Sequence, residues 1–135
     1  MATNDTALPR TEEEWQVRLS PDEFRVLRQG ATERAWTGEY VDTKANGMYE
    51  CRACGAALYP SDYKFDSNCG WPSFDDAIPG AVKEIDDYSM GMVRTEIRCA
   101  NCDSHLGHVF RGEHFTAKNT RHCVNSLSLR LQPKD

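Results

Sequence analysis

A chain of 135 residues suits one domain with a single modest core. Charged residues make up 27% of it, so that core is small for the length and calls for a staple of another kind. A net charge of -5 argues against a general nucleic-acid binder, and no apolar run is long enough to span a membrane.

The opening "MATNDTALPR" is polar and is expected to fray. It contains no apolar stretch of the kind that directs secretion, so a cytoplasmic protein is expected. "TEEEWQVRL" then offers a capping box, Thr11 with Glu14, in front of a short helix. "SPDEFRVLRQG" predicts a second helix. Ser20 is its N-cap, Pro21 takes the first helical position, Glu23 completes the box and Gly30 ends it. From "AWTGEYVD" onward the helical signals fade. Short segments such as "MYECRAC", "GMVRTEIRC" and "HCVNSLSLRL", divided by Gly, Pro, Asn and Asp, read as antiparallel strands and loops. The expectation is a mainly β fold with short N-terminal helices. One domain over 1–135 would comprise a largely helical arm over 1–45 and a β-rich core over 46–132.

Six cysteines in a reducing compartment point to metal binding or redox chemistry, because a disulfide framework would not persist there. They sort by spacing. Cys51 and Cys54 form "CRAC", Cys99 and Cys102 form "CANC", and Cys69 and Cys123 stand alone. A turn through CxxC brings sulfurs i and i+3 together, and two such knuckles complete a tetrahedral site that suits zinc. A four-thiolate site has no open position for chemistry, so the metal would be a staple. The competing reading, a thioredoxin-like redox pair, wants a CxxC after a clear strand and at the start of a helix, and neither pair sits so.

"TRHCVNSLSLRL" carries the first lone cysteine. Read with period two as one strand, Arg121, Cys123 and Asn125 share a face that continues into Leu127, Leu129 and Leu131, while His122 takes the other. A thiol where an apolar face turns basic looks like the floor of a pocket. Cys69 lies in "DSNCGWPSF", a loop by its Gly70 and Pro72. "HLGHVF" supplies His105 and His108, which a regular strand would send to opposite sides unless Gly107 permits a bulge. Alone, each histidine is more often a surface or hydrogen-bonded residue, and Trp71 more often core. Together with Arg121 they would lower the Cys123 thiol pKa and set proton donors beside it.

In this combination the chain resembles the B-type methionine sulfoxide reductases. "CRAC", "CGWPSF", "CANCDSHLGHVF" and "RHCVNS" occur in that family's order, and the likeness runs from "LSPDEFRVLRQGATERAWTGEY" to "NSLSLRL". The resemblance implies two antiparallel sheets with one structural zinc on Cys51, Cys54, Cys99 and Cys102. It implies thioredoxin-dependent reduction of the R epimer of methionine sulfoxide, without a redox cofactor. It assigns Cys123 as nucleophile and Cys69 as resolving cysteine, with Trp71, His105, His108, Arg121 and Asn125 forming the pocket. Two positions depart from the family pattern. Many members carry an aromatic residue where His122 stands. The "RGEHFTAKNT" loop also differs, so that Phe115 either lines the pocket or packs beneath the loop. A monomer is expected. The rivals are a zinc-ribbon binding module, which leaves Cys69, Cys123 and the histidines unexplained, and a different thiol enzyme such as a Cys–His hydrolase.

Overall fold

The computed structural model describes residues 8–134, so the first seven residues of the segment expected to fray lie outside the described residues. Two short helices come first, α1 (Glu12–Arg18) and α2 (Pro21–Leu27). Their starts follow from their caps. Thr11 accepts from the Glu14 N–H, and in α2 the box is complete, Ser20 accepting from the Glu23 N–H while Glu23 accepts from the Ser20 N–H. In α1 the reciprocal bond is absent, because the Glu14 carboxylate takes the Arg10 N–H instead. Helix ends at Leu27, and residues 28–46 run as turns and extended chain. The arm is therefore less helical than its capping signals suggest, since nothing after Gly30 renews an apolar stripe of helical period.

Nine strands follow among the described residues: β1 (Gly47–Cys51), β2 (Ala57–Pro60), β3 (Lys64–Phe65), β4 (Ser73–Phe74), β5 (Val82–Asp87), β6 (Arg94–Cys99), β7 (His105–Arg111), β8 (Thr120–Val124) and β9 (Leu129–Pro133). They form two antiparallel sheets, ordered β2-β1-β9 and β3-β4-β8-β7-β6-β5. The core is continuous across both. Tyr49 of β1 and Tyr59 of β2 meet Phe74 of β4 with ring centroids 5.2 and 4.4 Å apart, and all three are fully buried. Trp15, Phe24 and Leu27 close the core from the helical side. No helix among the described residues is long and apolar enough to cross a membrane.

One sequence expectation fails here. "TRHCVNSLSLRL" is not a single strand. β8 ends at Val124, a 3-10 turn takes Ser126–Ser128, and β9 begins at Leu129 in the other sheet. Asn125 makes the break, with its N–H and its Nδ2 both donating to the Leu106 carbonyl at 3.0 Å. The turn swaps the faces, so Leu129 and Leu131 pack with the three-stranded sheet and do not seat Cys123. Cys123 is held instead by β8's neighbours, paired with His108 of β7 and Ser73 of β4.

Candidate active site and metal centre

The two CxxC segments are the same turn built twice. Cys51 ends β1, and the Gly55 N–H returns to its carbonyl at 2.7 Å; Cys99 ends β6, and the Asp103 N–H does likewise at 2.8 Å. Gly55 and Asp103 both adopt positive φ, 84° and 68°, which the turn requires at that place. The folded sheets bring the knuckles face to face, and the four sulfurs lie within 4.8 Å of one another. Contacts across the knuckles join Cys51 to Cys102 and Cys54 to Cys99, both at 3.7 Å. Neither CxxC therefore stands as a dithiol pair by itself. Three of the four cysteines are buried and Cys54 is half-buried, so the cluster could hold a metal ion but offers little room for anything else.

The two lone cysteines also meet. Cys69 and Cys123 are 54 residues apart in sequence, yet their Sγ atoms stand 3.9 Å from each other, and both are half-buried. The Cys69 loop turns through Asn68 and Gly70, both at positive φ. It is fastened to β4 by a 2.7 Å bond between the Ser67 and Ser73 hydroxyls. The hydrogen bond from Cys123 is the main force holding Cys69 down, to about 4; burial opposes it, and Ser67 at 3.0 Å and Ser73 at 3.4 Å assist. The same contact, with burial behind it, pushes Cys123 up, and Arg121 only partly offsets this. The two thiols therefore titrate as a coupled pair, each shifting the other through one shared contact. Cys123 was expected to be lowered by its basic neighbours and is instead raised, because the contact with Cys69 and burial outweigh Arg121. Arg121 and the histidines are legible near Cys123 in the sequence, whereas the neighbouring sulfur arrives from 54 residues away.

Both sulfurs open on a cavity of about 180 Å³. Trp71, His108, Arg121 and Asn125 line it. The Trp71 indole N–H donates to the Glu33 carbonyl at 3.0 Å, which fixes the ring. Arg121 is forked onto Glu113 at 2.7 and 3.1 Å, its guanidinium 4.6 Å from the Phe110 ring centre. His108 Nε2 is hydrogen-bonded to Asp87 at 2.8 Å, and Asp87 is held well below the usual carboxylate range, first by the Ser89 N–H and then by His108. Asn125 reaches the wall, but its amide is engaged on both sides, accepting from the Glu33 N–H at 2.9 Å and donating to Leu106.

His105 does not line the cavity. A bulge places Gly107 opposite Ile97 but His105 opposite Arg98, so Leu106 is the extra residue on β7 and the two histidines come to one side. Their rings pack edge-on at 5.6 Å. His105, however, is buried behind His108. Its Nδ1 is bound to Glu96 at 2.7 Å, and its Nε2 finds no partner among the described residues. Burial, partly opposed by Glu96, lowers its pKa and favours the neutral ring. Gly107 has a further duty that the sequence did not suggest. A Cβ there would lie 1.9 Å from the Cys123 carbonyl oxygen, so only glycine lets β7 pass this close to the thiol-bearing strand.

Of the two places open to Phe115, the cavity wall is not the one it takes. It is half-exposed on the "RGEHFTAKNT" loop against Phe65, at 5.7 Å, and Phe110 joins Trp71 in the aromatic wall of the cavity. Phe110 was legible, being two residues from His108 and so on the same face of β7. Thr32 and Arg94, which also line the cavity, come from distant segments and carried no local signal. His122 points away, its Nδ1 3.0 Å from the buried Tyr59 hydroxyl.

Residues 19–133 match the SelR domain. The chain belongs to the SelR domain family. Among curated relatives it is 50% identical to the peptide methionine sulfoxide reductase MsrB of Leifsonia xyli subsp. xyli, over 95% of this chain and 93% of that one. It is 53% identical to the MsrB of Synechococcus sp., over 98% and 97%. With peptide methionine sulfoxide reductase B8 of Arabidopsis thaliana it shares 49% identity, over 100% of this chain and 98% of the relative. The SelR fold reaches further than this likeness. A crystal structure of the Mis18 "Yippee-like" domain superposes with a TM-score of 0.55 at 15% identity, covering 67% of this chain and 98% of that one, which speaks to architecture alone.

Proposed function

We propose that this SelR-domain chain reduces methionine sulfoxide in oxidised proteins to methionine, acting on the R epimer and using thioredoxin as reductant. The carrying observation is the 3.9 Å approach of two half-buried thiols in the wall of a side-chain-sized cavity. The Cys123 proton has an acceptor in the Cys69 sulfur. The Cys123 thiolate attacks the sulfoxide sulfur while His108, aimed by Asp87, gives a proton to the oxygen. The oxygen passes to Cys123, methionine leaves, and Cys123 remains as a sulfenic acid. Cys69 then attacks Cys123; the oxygen departs as water and a disulfide joins the two. An external dithiol restores both thiols by exchange. Trp71 and Phe110 receive the methyl group and His108 the oxygen, and walls of different chemistry select one epimer. Arg121 supplies positive charge beside the sulfurs, and Asn125 and His105 hold the wall from behind.

The four-cysteine cluster is read as a zinc site. Tetrahedral zinc with bonds of about 2.3 Å puts its sulfurs about 3.8 Å apart, and the cross-knuckle pairs stand at 3.7 Å. When bound, the ion supplies a cross-link between the knuckles and takes no part in the reaction. The enzyme is proposed to work as a cytoplasmic monomer.

The test is thiol titration without reductant. A peptide carrying the R sulfoxide should cost the chain two free thiols and release one methionine, while the S epimer leaves both thiols intact. An unchanged thiol count with the R epimer would refute the reading.

A further inference from the structure

A second cavity, of about 220 Å³, abuts the first, and Trp36, Val41, Asp42, Phe65, Asp66 and Cys69 are among its lining residues. Cys69 belongs to both walls, whereas Cys123 opens only on the first. That asymmetry matters for thiol exchange. Displacement at a disulfide sulfur is in line, the attacking sulfur entering opposite the leaving one. In a Cys69–Cys123 disulfide the sulfur that must leave is Cys123, in the substrate cavity, so an attacker on Cys69 approaches from the other side.

Trp36 stands at that side in an unusual way. Its backbone holds φ 70°, a left-handed conformation that a bulky residue keeps only where its surroundings fix it. What fixes it is the reactive loop itself, since the Trp36 N–H donates to the Gly70 carbonyl at 2.8 Å. A Cβ at Gly70 would come within 2.8 Å of the Ala35 Cβ and 3.1 Å of the Trp36 indole nitrogen, so the two segments dock through glycine alone. Although so tightly held, the Trp36 side chain remains 56% exposed. A rigid exposed aromatic beside a reactive sulfur is the form of an interface anchor. The rim carries the exposed acids Asp42 and Asp66, the second paired with Lys44.

We propose that this second cavity is the docking site of the protein dithiol reductant, with Trp36 as its anchor and a partner surface that is apolar and neutral-to-basic around its nucleophilic cysteine. The inference rests on the proposed Cys69–Cys123 disulfide. The partner's thiolate attacks the Cys69 sulfur; the disulfide breaks, its electron pair leaves on Cys123, and Cys123 takes a proton. The partner's second thiol then displaces Cys69, and the partner departs oxidised by two electrons.

The experiment compares Trp36→Ala, Trp36→Glu and Asp42→Lys in the full chain, with purified thioredoxin or dithiothreitol as reductant. Single-turnover disulfide formation on a sulfoxide peptide should stay within twofold of the parent chain for all three, which also verifies folding. With thioredoxin, KM should rise at least tenfold for Trp36→Glu and less for Trp36→Ala and Asp42→Lys, while dithiothreitol-driven turnover is unchanged. A thioredoxin KM within twofold of the parent in all three would overturn the docking site. So would equal losses with both reductants, which would make Trp36 a support of the Cys69 loop. Failure of the parent chain to form the disulfide would instead defeat the underlying mechanism, and the docking site with it.

Discussion

The metal cluster and the reactive pair use the same side chain for opposite ends, and the difference lies in what each sulfur faces. Cys51, Cys54, Cys99 and Cys102 point at one another from two tight turns, three of the four buried. Cys69 and Cys123 point at one another too, but from a loop and a strand, and both also face open space. On the proposed reading, the closed cluster contributes cross-linking and the open pair reactivity. Serine substitutions in the two groups should therefore fail in different ways.

The largest effect is expected in the cluster. Structural zinc contributes on the order of 10 kcal/mol in small metal domains, comparable to the whole net stability of a domain. Cys99→Ser, or a strong chelator, should therefore unfold the chain, read by circular dichroism, with bound zinc falling from one per chain. A chelated chain that kept its fold would erase the distinction between the two groups.

In the open pair the fold should survive and the chemistry fail. Cys123→Ser should release no methionine even in a single turnover. Cys69→Ser should release one methionine per chain and then stall with thioredoxin, its Cys123 trapped by a sulfenate-reactive dione. That single turnover should be slower than in the parent chain near neutral pH, because the acceptor for the Cys123 proton is gone. Full-speed cycling of Cys69→Ser would mean that another group resolves the sulfenate.

Smaller effects separate the two histidines. His108→Gln should slow the chemical step by about 10²–10⁴-fold, the usual range for a lost general acid. His105→Gln should cost less, because His105 lies behind His108 and off the cavity wall. Equal losses in rapid-quench kinetics would assign the proton to the pair and not to His108.

The smallest effect is on stability against pH. Burial lowers His122 from 6.5 to about 4. A histidine depressed in the fold is protonated first in the unfolded chain, so its contribution is intact above about 6.5 and is lost as pH falls toward 4. Replacing both partners, His122→Phe with Tyr59→Phe, removes the mismatch without leaving an orphaned hydroxyl. Denaturant titrations of that double variant should show a shallower loss between pH 6.5 and 4. An unchanged slope would place the pH sensitivity elsewhere.

Much of this was written locally. The CxxC turns, the caps of α1 and α2 and the opposite facing of His122 and Cys123 depend on residues within a few positions of one another, and spacing alone determines them. The zinc-type cluster was legible for the same reason, since each knuckle presents its two sulfurs before the sheets assemble. What the tertiary structure decided depends on distant segments arriving together. The 3.9 Å contact that couples Cys69 to Cys123 spans 54 residues, and no local pattern encodes it. The sheet switch at Asn125 is driven by Leu106, a residue of β7, which is why period-two reading ran the strand on through the leucines. Gly107 is glycine because the Cys123 carbonyl passes beside it, and a steric limit between two strands is invisible until the strands are paired. His105 fell behind His108 because a bulge brings two side chains to one face without granting both a place on the cavity wall.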